Sequence, residues 1–327
     1  MLLDGLKFVD MYLGRRFCDL RGVEGTDGAL MSLPDPNQAD LERLRETCAA
    51  RREQTGLSEF SLKFDDEQFR VTAIRDVDDQ IVWMLSRSGF DVMPLKELRL
   101  PPKVMDAVLN SKLGGLFIIC GPMRAGKTTT AASIFRERLV RFGGLGLTVE
   151  DPPEAALHGI HGEKGGRCIQ IPVSRQFGAS HEQSFQEQMM RVLRSRADQF
   201  LIGEIRNGAM ALEMMQVASA IGPIFATTHG ESPEQCLLNL QARCRGEAST
   251  HAFNSMLAEA LSGVLMQRLL PVPATDGSGY LYRLHCEYLL LGGPDDTTIR
   301  AKLGNGDFAS LRQEMSQQKQ NAAWSIK

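Results

Sequence analysis

The sequence predicts an α/β protein: a parallel-rich sheet interleaved with helices, preceded by a smaller α+β region. Three observations predict it. From about residue 103 to 291, short apolar runs alternate with helix-length segments, the pattern of a parallel sheet built from strand–helix units. Within that stretch the greasy run "LFIIC" (116–120) opens directly into "GPMRAGKTTT" and a helical pattern. Before about residue 88 the spacing differs, with apolar residues at every second position, as in an antiparallel sheet.

Taken in order, Leu2, Leu6, Val9 and Leu13 follow helical spacing, so the chain is expected to open in a helix. A further helix is expected in "ADLERLRETCAARRE", with Leu41, Leu44 and Cys48 on one side. The strands "FSLKF" and "FRVTAI" place Phe60, Leu62 and Phe64, then Phe69, Val71 and Ala73, on one face, and "IVWML" is a third strand. These elements form an N-terminal α+β domain over residues 1–92. Pro94, Pro101 and Pro102 bracket a linker at 93–102. Residues 103–327 form the larger domain, whose polar, Gln-rich end "QQKQNAAWSIK" is expected to fray.

Composition narrows the class. The 327 residues are 43% hydrophobic and 24% charged, enough to bury a full core. A formal charge of -3 argues against a surface built as a whole to neutralise nucleic-acid backbones. The seven cysteines include no C-x-x-C pair and read as reduced thiols in a cytosolic protein. His158, His161 and Cys168 share a loop region but make only a weak metal signal. No run reaches the ~20 apolar residues needed to span a bilayer. Asp4 and Lys7 come too early for a secretory signal, so a cytoplasmic protein is expected.

The glycine-rich stretch fits G-x-x-x-x-G-K-[ST] through Gly121, Gly126, Lys127 and Thr128. The preceding buried-type strand and a following helix with Ala131, Phe135, Leu139 and Phe142 on one face supply its required context. A tight loop of backbone N–H groups at a helix N-terminus cradles anions. Gly121, Pro122, Met123, Arg124, Ala125, Gly126, Lys127, Thr128 and Thr129 therefore form a nucleoside-triphosphate site. Lys127 is the charge for the β- and γ-phosphates, and Thr128 offers a hydroxyl to Mg²⁺.

Three further apolar runs end in polar residues: "GLGLTV" at Glu150 and Asp151, "FLIG" at Glu204, and "PIFAT" at Thr228 and His229. Ligands of parallel sheets bind beyond the carboxyl ends of the strands, so these residues are expected to converge on the nucleotide. Glu204 is placed to polarise the attacking water. Glu150 and Asp151 are oxygen ligands for Mg²⁺ or its waters. His229 either senses the γ-phosphate or serves as a strand-end hydrogen-bond partner.

In this order, "GPMRAGKTTT", "TVEDPPE", "LRSRADQFLIGEIRN", "ATTHG" and "GVLMQRLL" resemble the secretion ATPase superfamily, the motors of type II secretion, type IV pili and type IV secretion. The likeness runs from about Phe69 to Leu303. It implies a RecA-like ATPase core preceded by a PAS-like domain, with ATP and Mg²⁺ as cofactors. It further implies an aspartate box (Glu150, Asp151, Glu154), a Walker B segment with catalytic Glu204, a histidine box (His229), and an "AQRL" motif matched by Gln267, Arg268 and Leu269. The chain looks most like the short pilus-retraction (PilT-type) branch and the related ATPases of type IVB secretion and conjugation. Neither the long N-terminal extension nor the tetracysteine segment of the assembly motors is expected, and "TIRAKLGNG" resembles the retraction enzymes' "AIRNLIREG".

The resemblance also implies arginines from the N-terminal domain at the nucleotide. Arg70 and Arg87 match best, with Arg75 as a third and Arg194, in the "LR" position, as a further candidate. Strand alternation is expected to turn Arg70 and Arg75 away from the face carrying Phe69 and Val71; the alternative is a solvated surface role. Departures from the family pattern are Arg124 and Ala125 for Gly-Ser, Arg196 and Ala197 for Asp-Pro, and Asn207 and Ala209 for two acidic residues. The histidine box reads Thr-His-Gly for Leu-His-Thr.

The implied assembly is a homohexamer working with an inner-membrane platform protein, cytoplasmic and peripherally membrane-associated, with no direct nucleic-acid contact expected. Two alternatives remain at this point: a nucleic-acid-stimulated translocase, and a low-turnover nucleotide-binding scaffold suggested by Asn207 and Ala209.

Overall fold

The structure is a computed structural model that describes residues 8–23, 30–33, 38–65, 67–151, 153–173, 187–188, 191–192, 195–218, 220–273, 280–293 and 296–324. The chain divides into two units, the first holding residues 8–91 with 153–156 and the second nearly all the rest.

In the first unit, β1 (Asp10–Leu13), β2 (Cys18–Arg21), β3 (Met31–Ser32), β4 (Glu59–Phe64), β5 (Glu67–Arg75) and β6 (Ile81–Ser88) form an antiparallel sheet ordered β3-β2-β1-β6-β5-β4. The period-two pattern makes this sheet one-sided. Phe60, Leu62, Phe64, Phe69, Val71 and Leu85 join Leu41, Leu44 and Cys48 of α1 (Gln38–Thr55) in one core. The expected opening helix is contradicted where the structure describes it. Residues 10–13 pair with β2 on one side and β6 on the other, burying Met11 and Leu13 while Asp10 and Tyr12 face away. Its other positions, Leu2 and Leu6, lie outside the described residues. The segment 153–156 belongs to this unit through the Glu154 carbonyl, which accepts from the N–H groups of Gly89 and Phe90.

The second unit begins at Val92. Residues 93–102 are packed rather than a bare tether: Leu95 and Leu100 are buried and a 3₁₀ turn spans Leu95–Leu98. After α2 (Pro102–Val108) come β7 (Leu116–Cys120), α3 (Lys127–Phe142), β8 (Leu145–Glu150), β9 (Gly159–His161), β10 (Gly166–Pro172) and β11 (Gln199–Ile202). These are followed by α4 (Gly208–Ala218), β12 (Ile224–Thr228), α5 (Pro233–Arg243), α6 (Thr250–Ala260), β13 (Leu261–Pro273), β14 (Tyr280–Leu290), α7 (Asp296–Asn305) and α8 (Leu311–Trp324). The sheet order is β14-β13-β7-β12-β11-β8-β10-β9. Its six central strands are parallel and its two edge strands antiparallel.

β7 explains why "LFIIC" shows no alternation. All five residues are buried because both sheet faces are covered. Leu116, Ile118 and Cys120 enter the core shared with α4, α5 and α6. On the other face Phe117 meets Phe225, their ring centroids 6.0 Å apart, and Phe135 of α3 covers Gly146. The Gln-rich end, expected to fray, is helical through Trp324 in α8, and residues 325–327 lie outside the described residues. Gln318 anchors the helix by donating to the Leu290 carbonyl (2.7 Å) and accepting from the Leu290 N–H (3.0 Å), so α8 is bonded to the end of β14.

Arg138 of α3 is a buried cation that joins α2 to the sheet. It donates to the carbonyls of Val108 (2.6 Å) and Asn110 (2.8 Å) and to Gln199 Oε1 (3.1 Å), with its guanidinium 5.1 Å from the Phe142 ring centroid. Burial lowers its pKa to about 10, still well above neutrality. Replacing a buried charge by an apolar group is often tolerated. Here the acceptors left behind are two main-chain carbonyls and a buried amide that no substitution at 138 removes. Arg138→Met is therefore expected to destabilise the protein by about 2–4 kcal/mol, roughly 1 kcal/mol or more per orphaned acceptor. Urea denaturation measures it.

Candidate functional site

Four adjacent parallel strands, β7, β12, β11 and β8, end on the same side of the sheet, and each delivers one chemical group. β7 leads into the loop 121–126 and Lys127. β12 leads into His229, β11 into Glu204, and β8 ends at Glu150.

The loop is shaped by its neighbours. A Cβ on Gly121 would collide with the main-chain carbonyl oxygen of Gln267, and Gly126 opens α3 at φ +76. Both positions favour glycine, the first by close approach and the second by its left-handed backbone. Arg124 also takes a left-handed conformation, at φ +62, where a side chain costs about 1–2 kcal/mol. It is exposed, as is Met123. Ala125 is buried, and Thr128 and Thr129 open α3 half-buried. Lys127 Nζ donates to the carbonyls of Gly121 (3.0 Å) and Pro122 (2.9 Å), so its ammonium lies over the loop it would serve.

A hydrogen-bonded line runs from that ammonium to the carboxylate. Lys127 Nζ is 3.5 Å from His229 Nδ1, and His229 Nε2 is 2.9 Å from Glu204 Oε1. Because an ammonium only donates, Nδ1 accepts, and in a neutral ring Nε2 carries the proton toward Glu204. The other carboxylate oxygen of Glu204 is 3.2 Å from Arg206 Nε. Arg206 in turn pairs with Asp151 Oδ2 at 3.3 Å and donates to the Asp151 carbonyl at 3.1 Å.

Glu150 is buried, accepts from Gln170 Nε2 at 3.2 Å, and passes beside Gly203. Thr128, Glu150 and Asp151 all present oxygens, the donors Mg²⁺ prefers. Among the described residues no group of three His, Cys, Asp or Glu side chains forms a metal cage. Such a set suits an ion that keeps several waters and arrives with phosphate oxygens. His161 Nε2 is 2.6 Å from the Leu157 carbonyl, His158 Nδ1 accepts from the Gln170 N–H at 3.4 Å, and Cys168 is buried in β10.

The loop carrying Glu204 is braced from β12. Thr227 Oγ1 donates to the Gly203 carbonyl, the Ile205 N–H donates to the Thr227 carbonyl (2.8 Å), and Arg243 Nη1 donates to the Ile205 carbonyl (2.7 Å). Arg243, Gln170 and the contact from Gln267 were not foreseen, since each arrives from a distant segment, and neither was the link that Arg206, two residues past Glu204, makes to Asp151. Asn207 has a defined role: its Oδ1 accepts from the Met210 N–H at 2.9 Å and so caps α4. That signal, an asparagine just ahead of an apolar helix, was present in the sequence.

In the first unit, Arg70 lies on the face opposite Phe69 and Val71, 3.6 Å from Glu59. Arg87 lies over the Phe8 ring (4.6 Å) and pairs with Glu67 at 2.8 Å. Arg75 shares the parity of Phe69 and Val71, so alternation does not turn it away. It is exposed because it ends β5, where it pairs with Asp79 at 2.7 Å. Arg194 lies outside the described residues.

The family model for Type II/IV secretion system protein matches residues 51–284. Over 208 residues the chain is 28% identical to the type IV pilus assembly ATPase PilB of Thermus thermophilus, covering 63% of this chain and 21% of that protein. Over 212 residues it is 27% identical to the type IV pilus ATPase PilU of Pseudomonas aeruginosa, covering 65% and 52%. The matched stretch thus spans from a fifth to about half the length of these curated relatives. The fold is similar to the crystal structure of the pilus retraction motor PilT with bound ADP, with a TM-score of 0.75 and 21% identity over 95% of this chain and 86% of that one. It is also similar to the Legionella pneumophila ATPase DotB, with a TM-score of 0.70 and 18% identity over 95% and 84%.

Proposed function

We propose, from the premise that the chain belongs to the Type II/IV secretion system protein family, that it hydrolyses ATP to drive a type IV pilus or a type IV secretion machine. The observation that carries this reading is the line Lys127–His229–Glu204 at the ends of adjacent parallel strands. It links a phosphate-gripping ammonium to a carboxylate able to take a proton from water.

In this reading the loop amides of residues 121–126 and Lys127 hold the β- and γ-phosphates, and Glu204 orients the attacking water and takes its proton. His229 reports the γ-phosphate to Glu204. Thr128, Glu150 and Asp151 would hold Mg²⁺, which when bound neutralises developing phosphoryl charge. The protein works as a homohexamer on the cytoplasmic face of the inner membrane against a platform protein. Among the described residues no helix is long and apolar enough to cross a membrane. Of the two departures behind the low-turnover scaffold, Asn207 caps α4, and turnover decides between scaffold and motor.

Steady-state phosphate release with Mg²⁺ and ATP, at protein concentrations that favour assembly, tests the reading. Measurable turnover unchanged by single-stranded DNA is expected; negligible turnover sinks the motor, and strong stimulation by DNA favours a translocase. Arg70, Arg87 and Arg194 are proposed to act on developing phosphoryl charge. For Arg87 this means exchanging Glu67 and Phe8 for phosphate. Arg87→Ala is expected to lower kcat about tenfold or more with nucleotide affinity unchanged. An unchanged kcat leaves Arg87 as a brace of its own sheet.

A further inference from the structure

β13 runs parallel to β7 and pairs with it as far as Met266 opposite Cys120. There β7 turns into the phosphate loop while β13 continues, so its next residues stand beside the loop. Gln267 is 1% exposed, and its Nε2 donates to the Ala125 carbonyl at 2.6 Å. A trans peptide is planar, so fixing the Ala125 C=O toward Gln267 points the Gly126 N–H the opposite way.

Arg268 faces the other side of the sheet, as successive strand residues do. Its Nη2 donates to the Glu231 carbonyl at 2.7 Å and pairs with the Glu231 carboxylate at 2.8 Å. Glu231 lies two residues past His229 and just ahead of Ser232, which caps α5. The strand supplying both contacts is itself paired with β14 from Gly263 to Pro273.

The polar atoms these residues leave unused are informative. Among the described residues, Gln267 Oε1 and Arg268 Nε are buried without a hydrogen-bond partner. Leaving them so is unfavourable, and an apolar side chain such as methionine would avoid the cost. The remaining contacts, to the two loops, therefore account for the residue types.

We infer that Gln267 and Arg268 are positioning residues that hold the phosphate loop and the histidine loop in register, an inference that rests on the nucleotide-site reading above. Gln267 sets how the loop grips phosphate; Arg268 sets where His229 stands relative to Glu204. The two substitutions should therefore separate binding from turnover.

The test compares wild type, Gln267→Met, Gln267→Glu, Arg268→Met and Lys127→Ala in mant-ADP affinity, in ATPase KM and kcat, and in thermal midpoint. Gln267→Met is expected to weaken mant-ADP binding and raise KM about tenfold, with kcat within about twofold. Gln267→Glu, which sets an acceptor against the Ala125 carbonyl, should weaken binding further. Arg268→Met should lower kcat several-fold with mant-ADP affinity retained. Lowered thermal midpoints with unchanged KM, kcat and affinity would make both residues merely structural and overturn the inference. If Gln267→Met does not fold, Arg268→Met, at a partly exposed position, decides between these outcomes. Wild type that binds no mant-ADP removes the nucleotide site itself, and the inference with it, a result distinct from binding that is insensitive to Gln267.

Discussion

Glu204→Gln is expected to lower phosphate release at saturating ATP by ~10²–10⁴, the contribution of a well-placed general base, while nucleotide affinity changes only a few-fold. The substitution keeps the shape and removes the proton acceptor. It also disturbs both neighbours, because an amide has one accepting and one donating end. If its oxygen faces Arg206, its NH₂ faces His229 Nε2, which in the native line already carries a proton toward position 204. To avoid two donors meeting, the imidazole must move its proton to Nδ1, which then faces the Lys127 ammonium. The loss should therefore appear in kcat rather than KM, and His229→Ala combined with Glu204→Gln should cost little more than Glu204→Gln alone. Turnover that survives Glu204→Gln intact would remove Glu204 from the chemistry and require another base.

The sequence made the strand ends of the site legible because each depends on local pattern: an apolar run, then a polar residue where a parallel strand must stop. The glycine-lysine loop could be read for the same reason. The contacts of Arg206 with Asp151, of Arg243 with Ile205, of Gln170 with Glu150 and of Gln267 with Ala125 could not, since they join segments brought together only by sheet order. Gln267 reaches Ala125 across 142 positions of chain. The N-terminal unit shows where period counting fails. Leu2, Leu6, Val9 and Leu13 fit a helix, yet Met11 and Leu13 fit a strand equally well, and pairing with β2 and β6 decides between them. Likewise the glutamines at the C-terminal end read as solvated until Leu290 offers Gln318 both a donor and an acceptor. Short windows cannot weigh such partners.

Lys127→Ala is expected to weaken ATP and ADP binding by a hundredfold or more without unfolding the protein. Each charge-assisted hydrogen bond from the ammonium to a phosphate oxygen is worth about 1.5–3 kcal/mol, and every 1.4 kcal/mol is tenfold in affinity. Two such bonds therefore reach the expected loss even at the low end of that range. The fold should survive because Lys127 contributes nothing to the core: its Nζ rests on the carbonyls of Gly121 and Pro122, part-buried groups at the end of the loop. Alanine at the first position of α3 also favours helix over lysine. Lys127→Arg is the sharper control. It keeps the charge but replaces a compact ammonium with a planar fork, which does not fit between two carbonyls 2.9 and 3.0 Å from Nζ. If charge alone mattered, arginine would restore binding; if the point geometry of the ammonium matters, it will not. Equilibrium titration with mant-ADP and the rise in thermal midpoint with added ATP report the same affinity independently. Undiminished binding by Lys127→Ala would show that the nucleotide sits elsewhere, and with it would fall the roles given to Glu204, His229 and Gln267.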